Sequence, residues 1–300
     1  MILAPDIRPG DTVGVVSPSG PFDRERLQPG LQYLSDRGYH IREGASLYAR
    51  DRYLAGSDAA RADEVNAMFA DPDVRAVLTA RGGYGSGRIL DLVDYDAVAR
   101  DPKPFVGFSD TTALQLALLE HADLVTYTGI TLCADVKKAG MDPVTESTLW
   151  QALEAMCFDP IEGLRVLRGG AAAGPLVGGC LSLVASLVGT PYLPNFSGAL
   201  LYLEDVNEAP YRVDRMLNQL HMAGILREVG ALLFGRFEGC DPEREAEGPV
   251  EAVLETLVDQ VDCPVYANLP YGHGVGRRVL PVGMPAQVSD DGMLRIGDHE

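Results

Sequence analysis

Strand and helix signals alternate along the first 130 residues, and this alternation constrains the fold more than any other feature of the sequence. Short apolar or β-branched runs stand at 12–17, 39–43, 74–80, 104–108 and 124–129. A helical pattern lies in each gap between them, the third of these near 86–93. Repeated alternation of this kind predicts a mainly parallel sheet covered by helices on both faces. The segment 110–121 is apolar nearly all round, which predicts a buried helix.

The character of the chain changes after about residue 134, where a polar stretch is followed by one rich in glycine and alanine. We therefore predict an N-terminal domain over 1–140, a linker region over 141–172 and a C-terminal domain over 173–300. The last part mixes strands with a helix from Pro210 to Gly224 and ends in a hairpin that turns at Asp-Asp-Gly.

Composition excludes several classes of function. A net charge of −18 over 300 residues argues against nucleic acid or an anionic membrane surface as the main partner. The five cysteines are widely spaced and form no CxxC pair, so we expect reduced thiols and neither a metal nor a cofactor. The chain shows neither a signal-peptide pattern nor an apolar run of about 18 residues, and we expect a cytoplasmic protein.

The stretch "GFSDT" places Ser109 where a short strand turns into the long apolar helix. A serine at this point is often a simple helix cap. The same context, strand then tight turn then helix, also suits an exposed nucleophile, although Thr111 replaces the second glycine of the GxSxG pattern.

A glycine-rich loop, "ARGGYGSGR", follows the third strand and opens the next helix pattern. Its spacing matches neither a dinucleotide nor a phosphate-binding motif. Gly82 and Gly83 would let the backbone approach a ligand and donate N–H groups to an oxyanion or carboxylate, or they could serve only a tight turn.

Two further segments carry groups suited to acid–base chemistry. Glu204 and Asp205 end an apolar strand, where carboxylates are also common helix caps, and His273 lies between two glycines after a later strand. Ser109, Glu204 and His273 all follow predicted strands, at the sheet edge where open α/β folds place their active sites. Nucleophile, base and orienting acid form the set that acyl transfer needs, with Gly83 and the Asp110 N–H as candidate oxyanion donors.

Several separated motifs occur in one order: "GDTVGVVSPSGP", "ARGGYGSGRIL", "VGFSDTTAL", "GTPYLP", "LYLEDVNEAPYRVDRMLNQL" and "YGHG". Together they resemble the LD-carboxypeptidases, or muramoyltetrapeptide carboxypeptidases, over nearly the whole chain. The resemblance implies a serine nucleophile at Ser109, a glutamate at Glu204 and a histidine at His273.

The resemblance also implies a flavodoxin-like or glutamine-amidotransferase-like N-terminal domain and a smaller β-rich, swivelling-type C-terminal domain, with the site in the cleft between them. It implies a homodimer that releases terminal D-alanine from cytosolic murein tetrapeptides during cell-wall recycling. Recognition of the terminal carboxylate in this acidic chain needs a cation, and Arg81 is the leading candidate, unless it pairs with an acidic neighbour and only holds the loop.

Two positions depart from the family pattern. Cys180 stands in "GGCLS" where the family often has asparagine, and Thr111 stands where an aliphatic residue is frequent. An immunity-type peptidase that cleaves aminoacyl-nucleotide amides is the alternative function on this fold. A non-catalytic ligand-binding module is a third reading, against which the intact triad argues.

Overall fold

The chain divides into two compact units. The computed structural model describes residues 1–242 and 244–297. The N-terminal unit holds residues 1–156 with a returning segment, 278–281, and the C-terminal unit holds 157–277 and the residues from 282 onward. Residues 243 and 298–300 of the predicted C-terminal domain lie outside the described residues.

The described residues form thirteen strands: β1 (Thr12–Val16), β2 (His40–Glu43), β3 (Val74–Thr79), β4 (Phe105–Gly107), β5 (Thr126–Thr128), β6 (Arg165–Arg168), β7 (Ala172–Cys180), β8 (Leu200–Val206), β9 (Ala231–Glu238), β10 (Val265–Ala267), β11 (Leu280–Val282), β12 (Pro285–Val288) and β13 (Leu294–Ile296).

The same residues form ten α-helices: α1 (Arg24–Asp36), α2 (Asp58–Ala70), α3 (Tyr95–Arg100), α4 (Thr112–Ala122), α5 (Leu132–Asp135), α6 (Pro143–Trp150), α7 (Leu181–Ser186), α8 (Pro210–Met222), α9 (Ile225–Glu228) and α10 (Val250–Val258). None of the helices in the described ranges combines the length and the hydropathy that crossing a bilayer requires.

The N-terminal unit is built on a sheet with the strand order β11-β5-β4-β3-β1-β2. Strands β1 to β5 pair in parallel, so the predicted parallel α/β domain is confirmed. The carboxyl ends of parallel strands lie along one edge of a sheet. The loops that follow β1, β3 and β4 therefore meet at that edge.

The long apolar helix α4 is buried on nearly every side, as its sequence predicts. Its polar residue Gln115 is also buried and donates a hydrogen bond to the Tyr127 carbonyl at 2.8 Å. The predicted helix near 86–93 is wrong: two short 3₁₀ turns, Ser86–Arg88 and Leu90–Leu92, occupy this stretch. The Ser86 amide and hydroxyl donate to Asp110, which holds the first of these turns away from a continuous helix.

The C-terminal unit contains a mixed sheet with the strand order β13-β12-β7-β8-β9-β10-β6. Strands β7 to β10 are parallel, and β6, β12 and β13 pair in the antiparallel direction. This second sheet domain and its closing hairpin β12–β13 agree with prediction. Helix α8 begins at Pro210, and Gly224, with φ of +85°, stands just past its end.

Gly178 allows β7 to lie close to β8 next to Glu204. A Cβ atom at this position would lie 1.8 Å from the carbonyl oxygen of Tyr202, and the residue has φ of +156°. We expect Gly178→Ala to destabilise the protein by about 3 kcal/mol or more, because a backbone atom cannot move aside cheaply. Soluble yield and the midpoint of thermal unfolding measure the effect.

Gly163→Ala is the matched control in the same unit. Gly163 also has positive φ, +75°, but a Cβ there would meet nothing within 4 Å. Only the left-handed backbone is then unfavourable, at about 1–2 kcal/mol. Equal losses for the two variants would show that the close approach of β7 and β8 is unimportant.

Candidate active site

Ser109 lies on a sharp turn between β4 and α4. Its φ is +65°, a left-handed conformation that is unusual for a residue other than glycine. A 3₁₀ turn over Ser109–Thr111 leads directly into the helix, and Ser109 itself is half-buried. Such strain costs on the order of 1–3 kcal/mol, persists only where the surroundings impose it, and is frequent at functional sites. The backbone of Ser109 therefore differs from the extended conformation of an ordinary helix N-cap residue.

Thr111 fits this turn although it departs from the GxSxG pattern. Its hydroxyl donates to the Phe108 carbonyl at 3.2 Å, across the turn. A Cβ atom at Gly107 would lie 2.3 Å from Thr111 Oγ1, so only glycine fits before the turn. The threonine is accommodated inside the turn.

The glycine loop, residues 81–85, packs against Ser109. A Cβ atom at Gly82 would lie 3.1 Å from Ser109 Cβ and 3.1 Å from the Phe108 carbonyl oxygen, so a larger residue would fit only if the turn moved by a few tenths of an ångström. The next residue, Gly83, is exposed and has φ of +107°. The structure thus brings together two residues that the sequence predicted for one site, Gly82 and Ser109.

The Asp110 carboxylate connects the turn after β4 to the loops after β1 and β3 through hydrogen bonds. The sequence analysis did not predict this role. It accepts hydrogen bonds from Ser19 Oγ at 2.5 Å, from the Ser86 N–H at 2.8 Å and from the Gly85 N–H at 3.2 Å. Asp110 is only 2% exposed, so these bonds are shielded from water. The loops after β1 and β3 are thereby attached to the residue that follows Ser109.

Arg81 begins the glycine loop and is half-buried. Its guanidinium donates to the carbonyl of Pro21. In the N-terminal unit, all of whose residues the structure describes, no carboxylate lies within 4.0 Å of this guanidinium. The pairing of Arg81 with an acidic neighbour therefore has no support in this unit.

Glu204 and His273 form a hydrogen-bonded pair in the C-terminal unit. Glu204 Oε2 accepts from His273 Nδ1 at 2.8 Å and from the His273 backbone N–H at 3.0 Å. The carboxylate is fully buried, whereas the imidazole is 21% exposed. An ionised carboxylate only accepts, so this contact places a proton on Nδ1. The two hydrogen bonds to Glu204 fix the orientation of the His273 imidazole.

Asp205 has a different set of contacts. Its carboxylate accepts from the Ser182 N–H at the start of α7, at 2.8 Å, and from the Val206 N–H at 2.8 Å. The Cys180 thiol also donates to it, at 3.4 Å. Asp205 therefore holds the beginning of α7, which supports the choice of Glu204 as the acid that orients the histidine.

Cys180 occupies the position where asparagine was expected, and its thiol is not activated. It ends β7 opposite Glu204 and is 3% exposed. Burial, followed by the charges of Glu204 and Asp205, raises the pKa of the Cys180 thiol well above its ordinary value. Among the residues that the structure describes, no group of three or more His, Cys, Asp or Glu side chains is placed to hold a metal ion.

The N-terminal unit thus carries a serine with a left-handed backbone on a strand-to-helix turn, and the C-terminal unit carries a hydrogen-bonded Glu–His pair. Residues 13–129 match the LD-carboxypeptidase N-terminal domain, and residues 173–288 match the LD-carboxypeptidase C-terminal domain. The chain belongs to the LD-carboxypeptidase family and is a serine carboxypeptidase.

Individual relatives agree with this assignment. A Bacillus subtilis protein named "Probable murein peptide carboxypeptidase" is 37% identical, with 93% of this chain and 89% of that protein covered. The crystal structure of muramoyltetrapeptide carboxypeptidase from Oxalobacter formigenes is 31% identical, with a TM-score of 0.86 and coverage of 96% of this chain and 99% of that chain.

The Microcin C7 self-immunity protein of Escherichia coli is 25% identical, with 97% of this chain and 94% of that protein covered. A structure of that protein in complex with glutamyl sulfamoyl guanosine has a TM-score of 0.90. That structure covers 100% of this chain and 99% of its own, at 22% identity, and shows a shared fold.

Proposed function

We propose that this enzyme removes the terminal D-alanine from murein tetrapeptides with Ser109 as nucleophile, His273 as general base and Glu204 as the residue that orients the histidine. The observation that carries the proposal is the left-handed backbone of Ser109, at φ of +65°, on the turn into α4. The Glu204–His273 pair, at 2.8 Å, supplies the matching base. The similarity to murein peptide carboxypeptidases supports the substrate class.

The proposed reaction has two steps. Ser109 Oγ attacks the carbonyl carbon before the terminal residue while His273 Nε2 takes the hydroxyl proton. The backbone N–H groups of Gly83 and Asp110 stabilise the oxyanion. The C–N bond then breaks, and His273 returns the proton to the amine of D-alanine. In deacylation His273 takes a proton from water, whose oxygen attacks the ester carbon; the C–Oγ bond breaks and His273 returns the proton to Ser109 Oγ.

We place this reaction in the cytoplasm, in peptidoglycan recycling, and expect a homodimer without a bound cofactor. The five cysteines, all within the described ranges, form no disulfide there, and three of them are buried, which supports a reducing compartment. The dimer follows from the family resemblance, and light scattering of the purified protein tests it.

A second candidate function is cleavage of the amide in aminoacyl-nucleotide analogues. It is favoured by the similarity to the microcin self-immunity protein, which has been crystallised with glutamyl sulfamoyl guanosine. Mass spectrometry of products from a panel of murein peptides and aminoacyl sulfamoyl nucleosides separates the two. Release of D-alanine from the tetrapeptide supports the first proposal, and cleavage confined to the nucleosides would replace it with the second.

Arg81 is proposed to bind the terminal carboxylate of the substrate. We expect Arg81→Ala to lower kcat/KM by about 30-fold or more, because removing the partner of a charged group costs about 2–5 kcal/mol. The variant should also lose most of its discrimination between the tetrapeptide and its C-terminal amide. Steady-state kinetics on both peptides, and on the peptide ending in L-alanine, measure the effect.

Arg50→Ala is the matched control, because the Arg50 side chain is 59% exposed and pairs with an exposed aspartate, Asp23. It should retain wild-type kinetics. Equal turnover of acid and amide peptides by the wild type would contradict carboxylate recognition and would favour the aminoacyl-nucleotide reading.

A further inference from the structure

Arg61, in α2, is a fully buried cation whose guanidinium contacts two loops of the N-terminal unit. It is 0% exposed. One guanidinium nitrogen, Nη1, donates both to the Pro18 carbonyl and to the Gly85 carbonyl, the latter at 2.8 Å. Pro18 belongs to the loop after β1, and Gly85 ends the glycine loop. A single side chain thus joins both loops from inside the unit.

The charge of Arg61 is balanced through a short chain of ion pairs. Its Nη2 donates to Asp58, and the same carboxylate accepts from Arg88 Nε at 3.0 Å and Arg88 Nη2 at 2.6 Å. Hydrogen bonds from Arg88 and then Arg61 lower the pKa of Asp58. The network reaches the glycine loop through the contact of Arg61 with the Gly85 carbonyl.

Gly85 is held from both sides of its peptide backbone. Its N–H donates to the Asp110 carboxylate at 3.2 Å, and its carbonyl accepts from Arg61. Asp110 directly follows Ser109 in the chain. The position of the loop relative to the nucleophile is thus set by two charged, buried side chains that lie on different elements. Neither charge is available to solvent, so the arrangement has little freedom to relax.

We propose that Arg61 is a positioning residue for catalysis, which sets the glycine loop so that Gly83 can donate to the oxyanion. This inference rests on the proposed serine mechanism. Gly82 packs closely against the turn at Ser109, because a Cβ atom there would lie only 3.1 Å from Ser109 Cβ and 3.1 Å from the Phe108 carbonyl oxygen. An oxyanion contact is made only in the transition state, so a displaced loop lowers kcat and leaves KM nearly unchanged.

The test uses Arg61→Lys as the main variant. A lysine keeps the buried charge, but it lacks the planar fork with which Arg61 reaches Pro18, Gly85 and Asp58 together. We expect kcat on the murein tetrapeptide to fall about 10²-fold with KM within about threefold, the scale of an oxyanion donor moved by about 1 Å. Arg42→Met is the control, because Arg42 pairs with Asp71 and Asp73 rather than with these loops.

Arg88→Met provides a second variant that is less of a risk to folding, because Arg88 is 44% exposed. It leaves the Asp58 carboxylate, which balances the charge of Arg61, with one cationic partner instead of two, and we expect kcat to fall about tenfold. Circular dichroism and the thermal midpoint show whether each variant is folded. A merely structural role for the network would lower the thermal midpoint and leave kcat per folded molecule unchanged.

Phosphonylation of Ser109 by a fluorophosphonate keeps this inference separate from the choice of substrate, because the reaction also develops charge in the oxyanion hole. We expect the labelling rate to fall in parallel with kcat in both variants and to be unchanged in Arg42→Met. Folded variants with wild-type labelling and kcat, or with a loss confined to KM, would overturn the role of Arg61. If the wild type is labelled but does not cleave the tetrapeptide, the proposed substrate is contradicted. The labelling rates of the variants would then still test whether Arg61 positions the glycine loop.

Discussion

Replacement of Ser109 by alanine is expected to lower kcat on the murein tetrapeptide about 10⁴–10⁶-fold, and His273→Ala should be equally severe. Loss of either the nucleophile or the base of such a unit removes the same reaction path, so the double variant should be little worse than either single one. Ser109 is strained and half-buried, and alanine fits its backbone as well as serine does. Activity should therefore be lost without loss of the fold, as measured by product release and thermal unfolding.

Matched controls exist for both residues. Ser186 is exposed near the end of α7, and His40 is exposed in β2, so alanine at either position should leave kcat within about twofold of the wild type. Ser109→Ala should also abolish fluorophosphonate labelling, which His40→Ala should leave unchanged. Labelling that persists in Ser109→Ala, or turnover above about 1% of wild type, would mean that another residue is the nucleophile.

Glu204→Gln is expected to lower kcat about 10⁴-fold, whereas Asp205→Asn should retain at least about a tenth of wild-type activity. The Glu204 carboxylate accepts from both His273 Nδ1 and the His273 N–H. An amide that turns its NH₂ toward Nδ1 favours the wrong tautomer and leaves the lone pair on the wrong nitrogen. Asp205 contacts the start of α7, so its amide variant loses charge at a helix N-terminus and keeps one acceptor.

The two variants form a matched pair, because the residues are adjacent, buried and changed in the same way. Steady-state kinetics on the tetrapeptide, with thermal midpoints for both variants, make the comparison. A severe Asp205→Asn and a mild Glu204→Gln would mean that the orienting acid has been assigned to the wrong carboxylate. Two equally mild variants would contradict an acid-oriented histidine altogether.

Much of the architecture follows from local pattern. Alternating strand and helix signals predict a parallel sheet because only crossover helices connect parallel neighbours. Pro210 and Gly224 set the limits of α8 through their own backbone preferences. The stretch 86–93 was mispredicted as one helix because its first turn is held by Asp110, a residue that lies more than twenty positions further along the chain.

The sequence by itself determined the two-part α/β organisation and the candidate residues Ser109, Glu204 and His273, because periodicity, turn residues and motif order are local properties. Only the tertiary structure decided which partners Glu204 and Asp205 take, since each carboxylate accepts hydrogen bonds from another segment of the chain. The same holds for the bond from Ser19 to Asp110, which joins residues 91 positions apart. Such contacts depend on which strands lie side by side in the sheet, and no short stretch of sequence records that order.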